Sequence, residues 1–514
     1  MTSNTLSRRG FALAAGTGAA TALAGCTAFG DGSDERIVRV ASRLTPSSID
    51  PIVDGTILRR IGVIESLLRI DFDAELAPSL ANSWHVEDDD LTWVFELRDD
   101  VQFHDGEPLD AAAAATALER TFDDPTMAEV PIDSIRADGE DAVEVRTERP
   151  FAPLPAHVAR HEAAIVGPES FDDEGDIETL VATGPFAFDS WESGERVTVT
   201  ANEEYHGTVP SIDGAVYEGV PDNQTRTLQV ENGDVEMGQV LPVSAVDRFE
   251  SADDVDVEIY EIPRMRCVQF NNRFEPFDDQ RVRLAASYAI DREAIADDLL
   301  EGYVEPAIGP YPPTIEWAND DLDPHRYQPD RARELLEEAG WTGEEGSVRQ
   351  KDGDDLAITI ITYPNRPALP DIGEVLQDQL GNVGFDVDVE VLEVSAIHDR
   401  AESDADAIIW SANVYGWPAD PDRLAYMYHS EEGGLHHGYE NSTVDELLEE
   451  GRAAVGDRER RTEIYDEVQA ITMAEAPISF LTYYEMVVAT RSELSGYDHH
   501  PTEYSFHLER VELQ

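Results

Sequence analysis

Residues 404–422 (DADAIIWSANVYGWPADPD) combine a buried strand with side chains that commonly hold small ligands. Residues 407–410 form a short apolar run, and Gly416 and two prolines prevent the strand from continuing past them. Open α/β sheets bind ligands beyond the carboxyl ends of their strands. We therefore predict ligand contacts from four side chains of this loop: Asn413, Tyr415, Trp417 and Asp420. The same residues also fit an exposed acidic loop with its tryptophans in the core, so the rest of the chain must decide.

Metal and catalytic chemistry have weaker signals. His436 and His437 are adjacent imidazoles that suit nickel, although adjacent histidines on a glycine-rich loop are also commonly just exposed. The single lysine, Lys351, is followed by Asp352, so no phosphate-binding loop is present. Neither a G-x-S-x-G elbow nor an H-E-x-x-H pair occurs, and carboxylates are too abundant for any one pair to indicate an acid and a base. A secreted peptidase is therefore only a distant alternative, and no cofactor is expected.

The charge of the chain is strongly unbalanced. Its 514 residues include 108 acidic and 37 basic ones, which gives a formal net charge of -71. Such a chain repels itself in dilute buffer but not at about 1 M salt, where the Debye length falls to about 3 Å. We interpret the excess as that of a halophilic protein, rather than as an acidic partner-binding surface. Nucleic-acid binding is excluded, because the chain has no basic stripe.

The N-terminus has the pattern of an export signal. Arg8 and Arg9 precede an apolar run over residues 11–25, which is shorter than the roughly 20 residues of a spanning helix. The run ends in Leu-Ala-Gly before Cys26, which resembles a lipobox and implies cleavage before Cys26 and a lipid on its thiol. The alternative is an uncleaved apolar tail. Residues 27–36 then form a tether, and Cys267 is left without an intramolecular disulfide partner.

Several elements that must position the loop can be predicted from periodicity. Residues 357–362 and 385–392 alternate as strands around a helix at 372–380, and the strand at 407–410 extends this β-α-β unit. Residues 57–68 have the apolar spacing of a helix. The acids of 385–392 fall on one strand face, without the loop that calcium requires, so a solvated face is the better interpretation.

Several ordered segments resemble one protein family. LRDDVQFHDGEPLDAAAAA at 97–115, TGPF at 183–186, NEEYHG at 202–207, DQRVR at 279–283 and RARELLEEAGW at 331–341 are similar to segments of extracellular solute-binding proteins of family 5. These proteins bind peptides or nickel for ATP-driven (ABC) importers. The resemblance extends over most of residues 37–510.

The resemblance implies an α/β, two-lobed periplasmic-binding-protein-like fold (type II, cluster C) with an inserted subdomain in the first lobe. It implies a signal peptide at 1–26, a tether at 27–36, and a first lobe of 37–54, 175–268 and 486–514. The insertion is expected at 55–174 and the second lobe at 269–485. Crossings near 266–271 and 483–488 would form the hinge.

The resemblance also implies roles for individual residues. In peptide-binding relatives the Asp of a Trp-x-x-Asp pattern holds the ligand's amino terminus, which Trp417 and Asp420 match, although the loop is shorter here. Arg366, on the loop that begins at Tyr363, would clamp a ligand carboxylate. The nickel alternative would use Arg160 with His436 or His437. Peptide is preferred because peptide binders are the larger class. The expected partners are a small solute, the permease and ATPase of an importer and, through the lipid on Cys26, the membrane; the protein is expected to be a monomer.

Overall fold

The computed structural model of the protein describes residues 35–172, 175–403, 405–413, 420–431, 433 and 438–514. In these ranges the strands are, in chain order, β1 (Ile37–Ser42), β2 (Leu68–Ile70), β3 (Leu76–Pro78), β4 (Ala81–Val86), β5 (Thr92–Leu97), β6 (Ile132–Asp138), β7 (Ala142–Thr147), β8 (Phe186–Glu192), β9 (Arg196–Ala201), β10 (Gly214–Gly219), β11 (Met237–Gln239), β12 (Val255–Phe270), β13 (Gln350–Lys351), β14 (Asp354–Asp355), β15 (Ala357–Thr362), β16 (Asp386–Val391), β17 (Ala407–Asn413), β18 (Ile478–Arg491), β19 (Leu494–Ser495) and β20 (Glu512–Leu513).

The α-helices of the same ranges are α1 (Pro51–Arg60), α2 (Ala111–Phe122), α3 (Leu154–Val158), α4 (Asn223–Asn232), α5 (Val246–Glu250), α6 (Gln280–Ala289), α7 (Arg292–Ala294), α8 (Pro329–Glu338), α9 (Leu369–Gly381), α10 (Val394–Ser403), α11 (Arg423–Tyr428), α12 (Ser442–Ala453) and α13 (Arg458–Glu475).

A mixed sheet runs through the chain in the order β16-β15-β17-β12-β18-β11-β1-β10-β9-β8. On one side of the β12–β18 pair, β15 runs parallel to β16 and β17. On the other side, β1 runs parallel to β10 and β11. We call β8–β11 with β1 the first half of the sheet and β15–β17 the second half. Each half is covered by its own apolar core, as a sheet buried on its faces requires.

The β12 and β18 strands connect the two halves. They pair antiparallel from Val255 opposite Arg491 to Gln269 opposite Ile478, and the register shifts between Ile262 and Met265. Pro263 lies inside this irregularity, which is expected because proline has no N–H to give to a sheet. A bulge re-aims the side chains that follow it, and the next residue, Arg264, reaches the cavity described below. Both predicted hinge crossings fall in these two strands.

A second sheet, in the order β4-β5-β7-β6, packs with the alanine-rich α2 around a separate core. The Asp110 side chain caps α2 by accepting a hydrogen bond from the Ala113 amide at 2.8 Å. This sheet falls inside the segment predicted as an insertion. The boundaries predicted for the lobes and the insertion remain predictions.

The β-α-β prediction is confirmed: β15, α9, β16 and β17 lie where alternation and helical spacing place them. The helix predicted over residues 57–68 is wrong in its bounds. The Asp50 side chain caps the N-terminal end of the helix, and Pro51 is its first residue. The helix α1 ends at Arg60. Ile61 and Ile64 are nevertheless buried, because the turn after the helix continues to pack on the core of the first half.

Candidate functional site: an arginine-lined cavity between the sheet halves

A cavity of about 380 Å³ lies where the two halves of the sheet meet. The first half contributes the segment after β1 and the helix α1. The second half contributes the end of β17 and the helix α11, while β12 and the segment 502–504 complete the wall. Its volume is near the lower end of the roughly 300–1,000 Å³ that small-molecule sites occupy. The position fits the sequence prediction of a site beyond the end of the strand at 407–410, which in the structure extends to Asn413.

The cavity wall is strongly cationic for so acidic a protein. The described side chains that line it include five arginines, Arg43, Arg59, Arg60, Arg264 and Arg423, and a single acid, Glu503. Arginine is weakly hydrated and presents a planar fork of donors, so it is suited to holding carboxylates and phosphates in buried sites. The wall therefore favours a ligand with acidic groups.

Glu503 is already shared among arginines. Its Oε2 accepts a hydrogen bond from Arg264 Nε at 3.0 Å, and its carbonyl accepts one from Arg60 Nε at 2.9 Å. Arg366 Nη2 lies 3.4 Å from Oε1, and Arg60 Nη2 lies 3.5 Å from the same oxygen. Although burial opposes ionisation, the surrounding guanidinium groups hold the pKa of Glu503 well below its usual range. Its carboxylate therefore stays charged and committed to the protein.

The Glu503 backbone is in the left-handed region, with φ of 58°. A non-glycine residue in this region stores roughly 1–3 kcal/mol of strain and persists only where its surroundings hold it in place. The arginine contacts of its carboxylate and carbonyl provide that restraint.

Arg43 differs from its neighbours in making no hydrogen bond or ion pair with the described residues. Within the described part of the chain no hydrogen bond or ion pair involves its guanidinium, and its Nε is buried without an acceptor. Burial, followed by repulsion from Arg366 and Arg264, lowers the pKa of Arg43 well below its usual value. Its charge is therefore uncompensated by any described carboxylate in direct contact.

The helix α1 fixes two more groups of the wall. Arg59 donates from Nη1 to the Ala159 carbonyl at 3.2 Å, and its guanidinium lies 4.5 Å from the centre of the Tyr504 ring. His161 lines the cavity beside Gly55, where an added Cβ would lie 2.6 Å from the imidazole. Burial lowers the pKa of His161 to about 4, so its imidazole is neutral at pH 7.

Of the residues predicted from the sequence, Asn413 lines the cavity, and its carbonyl accepts a hydrogen bond from Arg423 Nε at 3.3 Å. Tyr363 and Arg366 lie behind the wall. The Tyr363 hydroxyl accepts a hydrogen bond from the Ser411 amide at 3.1 Å. Arg366 is 1% exposed, contacts Glu503 and lies over the Tyr484 ring.

Asp420 is a buried partner of helix α13. Its Oδ1 lies 2.6 Å from Arg461 Nη2, its Oδ2 lies 3.0 Å from Arg461 Nη1, and it is not among the described residues lining the cavity. An amine-binding role would require Asp420 to leave Arg461, and that role remains a prediction. The other predicted site residues, Tyr415, Trp417, His436, His437 and the lipidation site Cys26, lie outside the described residues.

Arg160, named for the nickel alternative, is also held by acids. It lies 2.6 Å from Glu129 and 2.8 Å from Glu162, while the adjacent His161 faces the cavity. Among the described residues, no group of three or more histidine, cysteine, aspartate or glutamate side chains is arranged to hold a metal ion.

Sequence reasoning missed Arg43, Arg264, Arg423, His161 and Glu503. One local signal was available: β12 is apolar in its second part yet carries arginines at 264 and 266, and a charged residue in a buried strand needs a specific reason. The other four come from distant segments that only the fold brings together.

The fold and the cavity together define a two-lobed solute-binding protein. The model of bacterial extracellular solute-binding proteins, family 5, matches residues 75–435, and the chain belongs to this family. Its members are transport receptors that act outside the cytoplasm rather than enzymes, so the peptidase alternative does not hold. No helix in the described ranges is both long and apolar enough to cross a membrane.

Relatives include Protein XP55 of Streptomyces lividans, which is 30% identical over 94% of this chain and 90% of its own length. The nickel-binding periplasmic protein of Escherichia coli is 25% identical over 87% of this chain and 89% of its own length. Among solved structures, the oligopeptide-binding protein AppA of Bacillus subtilis, in complex with a nonapeptide, has a TM-score of 0.80 at 23% identity, covering 93% of this chain and 98% of its own. NikA of Staphylococcus aureus, in complex with Ni(L-His)2, has a TM-score of 0.82 at 23% identity, covering 93% of this chain and 100% of its own. These two structures establish the likeness of fold.

Proposed function

We propose that the protein is the extracellular receptor of an ABC importer and that it captures short peptides or peptide-like solutes in the arginine-lined cavity. The observation that carries the proposal is the position of that cavity: its wall comes from both halves of the sheet, so that a ligand would contact both. A volume of about 380 Å³ favours a di- or tripeptide over a long peptide. Arginine forks suit the carboxylate terminus of such a ligand.

The lobes would close over the ligand by bending at β12 and β18, with the boundaries predicted from the sequence. The register shift near Pro263 supports a bend there, since a bulge bends a strand and increases its local twist. Small-angle scattering with and without a binding solute tests this closure. A decrease in radius of gyration is expected, and an unchanged scattering curve at saturating ligand would contradict it.

The anchoring and partners follow from the sequence. We infer that the twin arginines direct export, that Cys26 carries a lipid, and that the monomeric receptor delivers its solute to a permease driven by an ATPase. The acidic composition supports a high-salt environment. Mass spectrometry of the membrane-associated protein should find an N-terminal lipid-modified Cys26, and a Cys26→Ala variant should be released from the membrane.

Copurification tests the ligand assignment directly. Protein purified in high salt is denatured, and the released small molecules are identified by mass spectrometry. A stoichiometric peptide or peptide-like acid is expected. Arg196→Gln, which changes an exposed arginine paired with Glu192, should retain the same molecule. Arg43→Gln should lose this molecule. If both variants retain a molecule that has no acidic group, the assignment is contradicted.

A nickel chelate is the second candidate. It is favoured by the neutral His161 imidazole in the cavity wall, which is able to bind a metal, and by the nickel-binding relatives. The arginines would then hold the carboxylates of the chelator. Metal analysis of the purified protein separates the two: stoichiometric nickel that is lost in His161→Asn, or in a His436→Asn and His437→Asn double variant, supports the chelate.

A further inference from the structure

Resting on the proposed function, we propose that the solute is an anion with two or more acidic groups and no free ammonium group, and that Arg43 and Arg264 determine this specificity. Such a solute is an N-blocked peptide or a peptide-like polycarboxylate, rather than a zwitterionic peptide.

The charges around Glu503 favour an acidic ligand. Four guanidinium groups, those of Arg43, Arg60, Arg264 and Arg366, act on its carboxylate, so this cluster holds more arginines than described acids. Buried charges are retained in proteins when something pairs with them. In a chain of net charge -71, acids are abundant, yet no second described carboxylate lines this cavity. An entering acidic ligand would supply the compensating charge that the described carboxylates of the wall do not.

Arg43 and Arg264 face the same cavity from different elements. Arg43 follows β1 in the first half of the sheet, and Arg264 lies on the connecting strand β12. Arg264 Nε is used by Glu503 and its Nη1 by the Ser411 carbonyl at 2.7 Å, which fixes its orientation. Arg43 makes no hydrogen bond to any described group, so the described residues use none of its guanidinium donors. Two acidic groups on one solute would thus be held by the first half of the sheet and by the connecting strand β12.

The ammonium group of an ordinary peptide would lack a partner among the described acids of the wall. Glu503 is shared by arginines, and both oxygens of Asp420 contact Arg461. Residues 414–419, between Asn413 and Asp420, read VYGWPA and contain no acid. No described carboxylate of the wall is therefore left to pair with an ammonium, which would instead meet the field of several arginines. A like charge in such a site is repelled.

Three probes of matched size separate these possibilities: N-acetyl-Ala-Glu, which has two carboxylates and no ammonium; Ala-Glu, which adds the ammonium; and N-acetyl-Ala-Gln-amide, which is neutral. Their affinities are measured by calorimetry at one fixed KCl concentration, together with identification of the copurified solute. We expect the acetylated diacid to bind about tenfold or more tightly than Ala-Glu, and the neutral probe not to bind.

Arg43→Gln should weaken binding of the acetylated diacid by about tenfold or more, because a bidentate charged contact is lost. Arg43→Lys keeps the charge but not the planar fork of donors, so its affinity for the acetylated diacid should lie between those of Arg43→Gln and the native protein. Arg196→Gln is the matched control and should bind as the native protein does. Circular dichroism verifies that each variant is folded, which is expected for Arg43 because no described group bonds to it.

The outcomes distinguish the inference from the function on which it rests. Binding of Ala-Glu or the neutral probe as tightly as the diacid, or a copurified zwitterionic peptide, overturns the inference and leaves the receptor assignment standing. An unchanged affinity in Arg43→Gln also overturns it. If no probe binds and no small molecule copurifies, the receptor assignment fails and the inference fails with it.

Discussion

At the scale of single residues, Glu503 holds the cavity wall together. Its side chain is 4% exposed and contacts Arg60, Arg264 and Arg366. These arginines come from α1, β12 and the loop after β15, so one carboxylate ties both halves of the sheet to the C-terminal segment. Removing it would leave several buried cations without a counter-charge, which is much costlier than losing an exposed ion pair.

We therefore expect Glu503→Gln to lower the free energy of unfolding by about 3–5 kcal/mol, measured by urea denaturation. Glu192→Gln removes an exposed partner of Arg196 and should change the free energy of unfolding by less than about 1 kcal/mol. Equal effects of the two substitutions would show that Glu503 does not hold the cluster.

Glu503 also predicts a pH dependence. Its pKa in the folded protein lies below that of an unfolded glutamate, about 4.3. A depressed carboxyl pKa contributes stability that is complete above the unfolded value and is lost as the pH falls toward the folded one. The stability difference between native protein and Glu503→Gln should therefore be constant from about pH 7 to pH 5 and shrink below about pH 4. Urea titrations of both proteins at each pH measure it, and a difference that grows on acidification would contradict the assignment.

Asp420 provides the second test at this scale. If its function is to pair with Arg461, Asp420→Asn should lower the free energy of unfolding by about 3–5 kcal/mol, because it leaves a buried cation without a counter-charge. The double variant Asp420→Asn with Arg461→Met should recover most of that loss. Binding of the acetylated diacid by the double variant should be unchanged. Asp213→Asn, at an exposed pair with Arg36, is the control and should have little effect. A stable double variant that still binds the acetylated diacid but binds Ala-Glu more weakly than the native protein does would instead support the role as an amine anchor.

At the scale of elements, close contact between α1 and the segment carrying His161 shapes one side of the cavity. Gly55 has no room for a side chain, since its Cβ would lie 2.6 Å from the His161 ring. Gly55→Ala should therefore displace His161, destabilise the protein by about 1–3 kcal/mol and weaken solute binding. In Gly381→Ala, at the end of α9, the added methyl group meets nothing within 4 Å, so stability should be unchanged or slightly higher. Thermal unfolding and calorimetry of both variants measure these effects, and equal behaviour of the two would refute the steric argument.

The elements also show which features sequence reasoning can reach. Alternation and helical spacing are local, so β15, α9 and β16 could be predicted closely, and the Asp110 cap of α2 was visible as a residue type before an alanine run. The cavity wall is not local: Arg264 and Glu503 are 239 residues apart. Asp420 shows the same limit, because its spacing matched a ligand-binding pattern while Arg461, 41 residues away, determines its contacts. Residue type and spacing led to the prediction that residues 413–420 contact a ligand, which remains a prediction, but they could not predict which charges the fold brings opposite each other.

At the scale of the whole molecule, a cationic cavity is set in a strongly anionic protein. The net charge of -71 would repel an anionic solute at low ionic strength, where the Debye length is about 30 Å at 0.01 M salt. At about 1 M salt this length is about 3 Å, so the distant acids are screened while the direct arginine contacts in the partly buried cavity are screened much less. High salt would thus allow one protein both to fold and to capture an anion.

The excess of acidic residues also predicts how stability depends on salt. Because acids far outnumber bases over the whole chain, the melting temperature should rise steeply between about 0.1 M and 1 M KCl, where the screening length falls from about 10 Å to about 3 Å. Sucrose is the control, because it stabilises proteins by exclusion from their surface and does not screen charge. At equal osmolality it should not raise the melting temperature as much as KCl does. Differential scanning calorimetry in both series measures the effect. Cooperative unfolding at the same temperature in dilute buffer and in 1 M KCl would show that the acidic charge does not limit folding, and the halophilic interpretation would then be wrong.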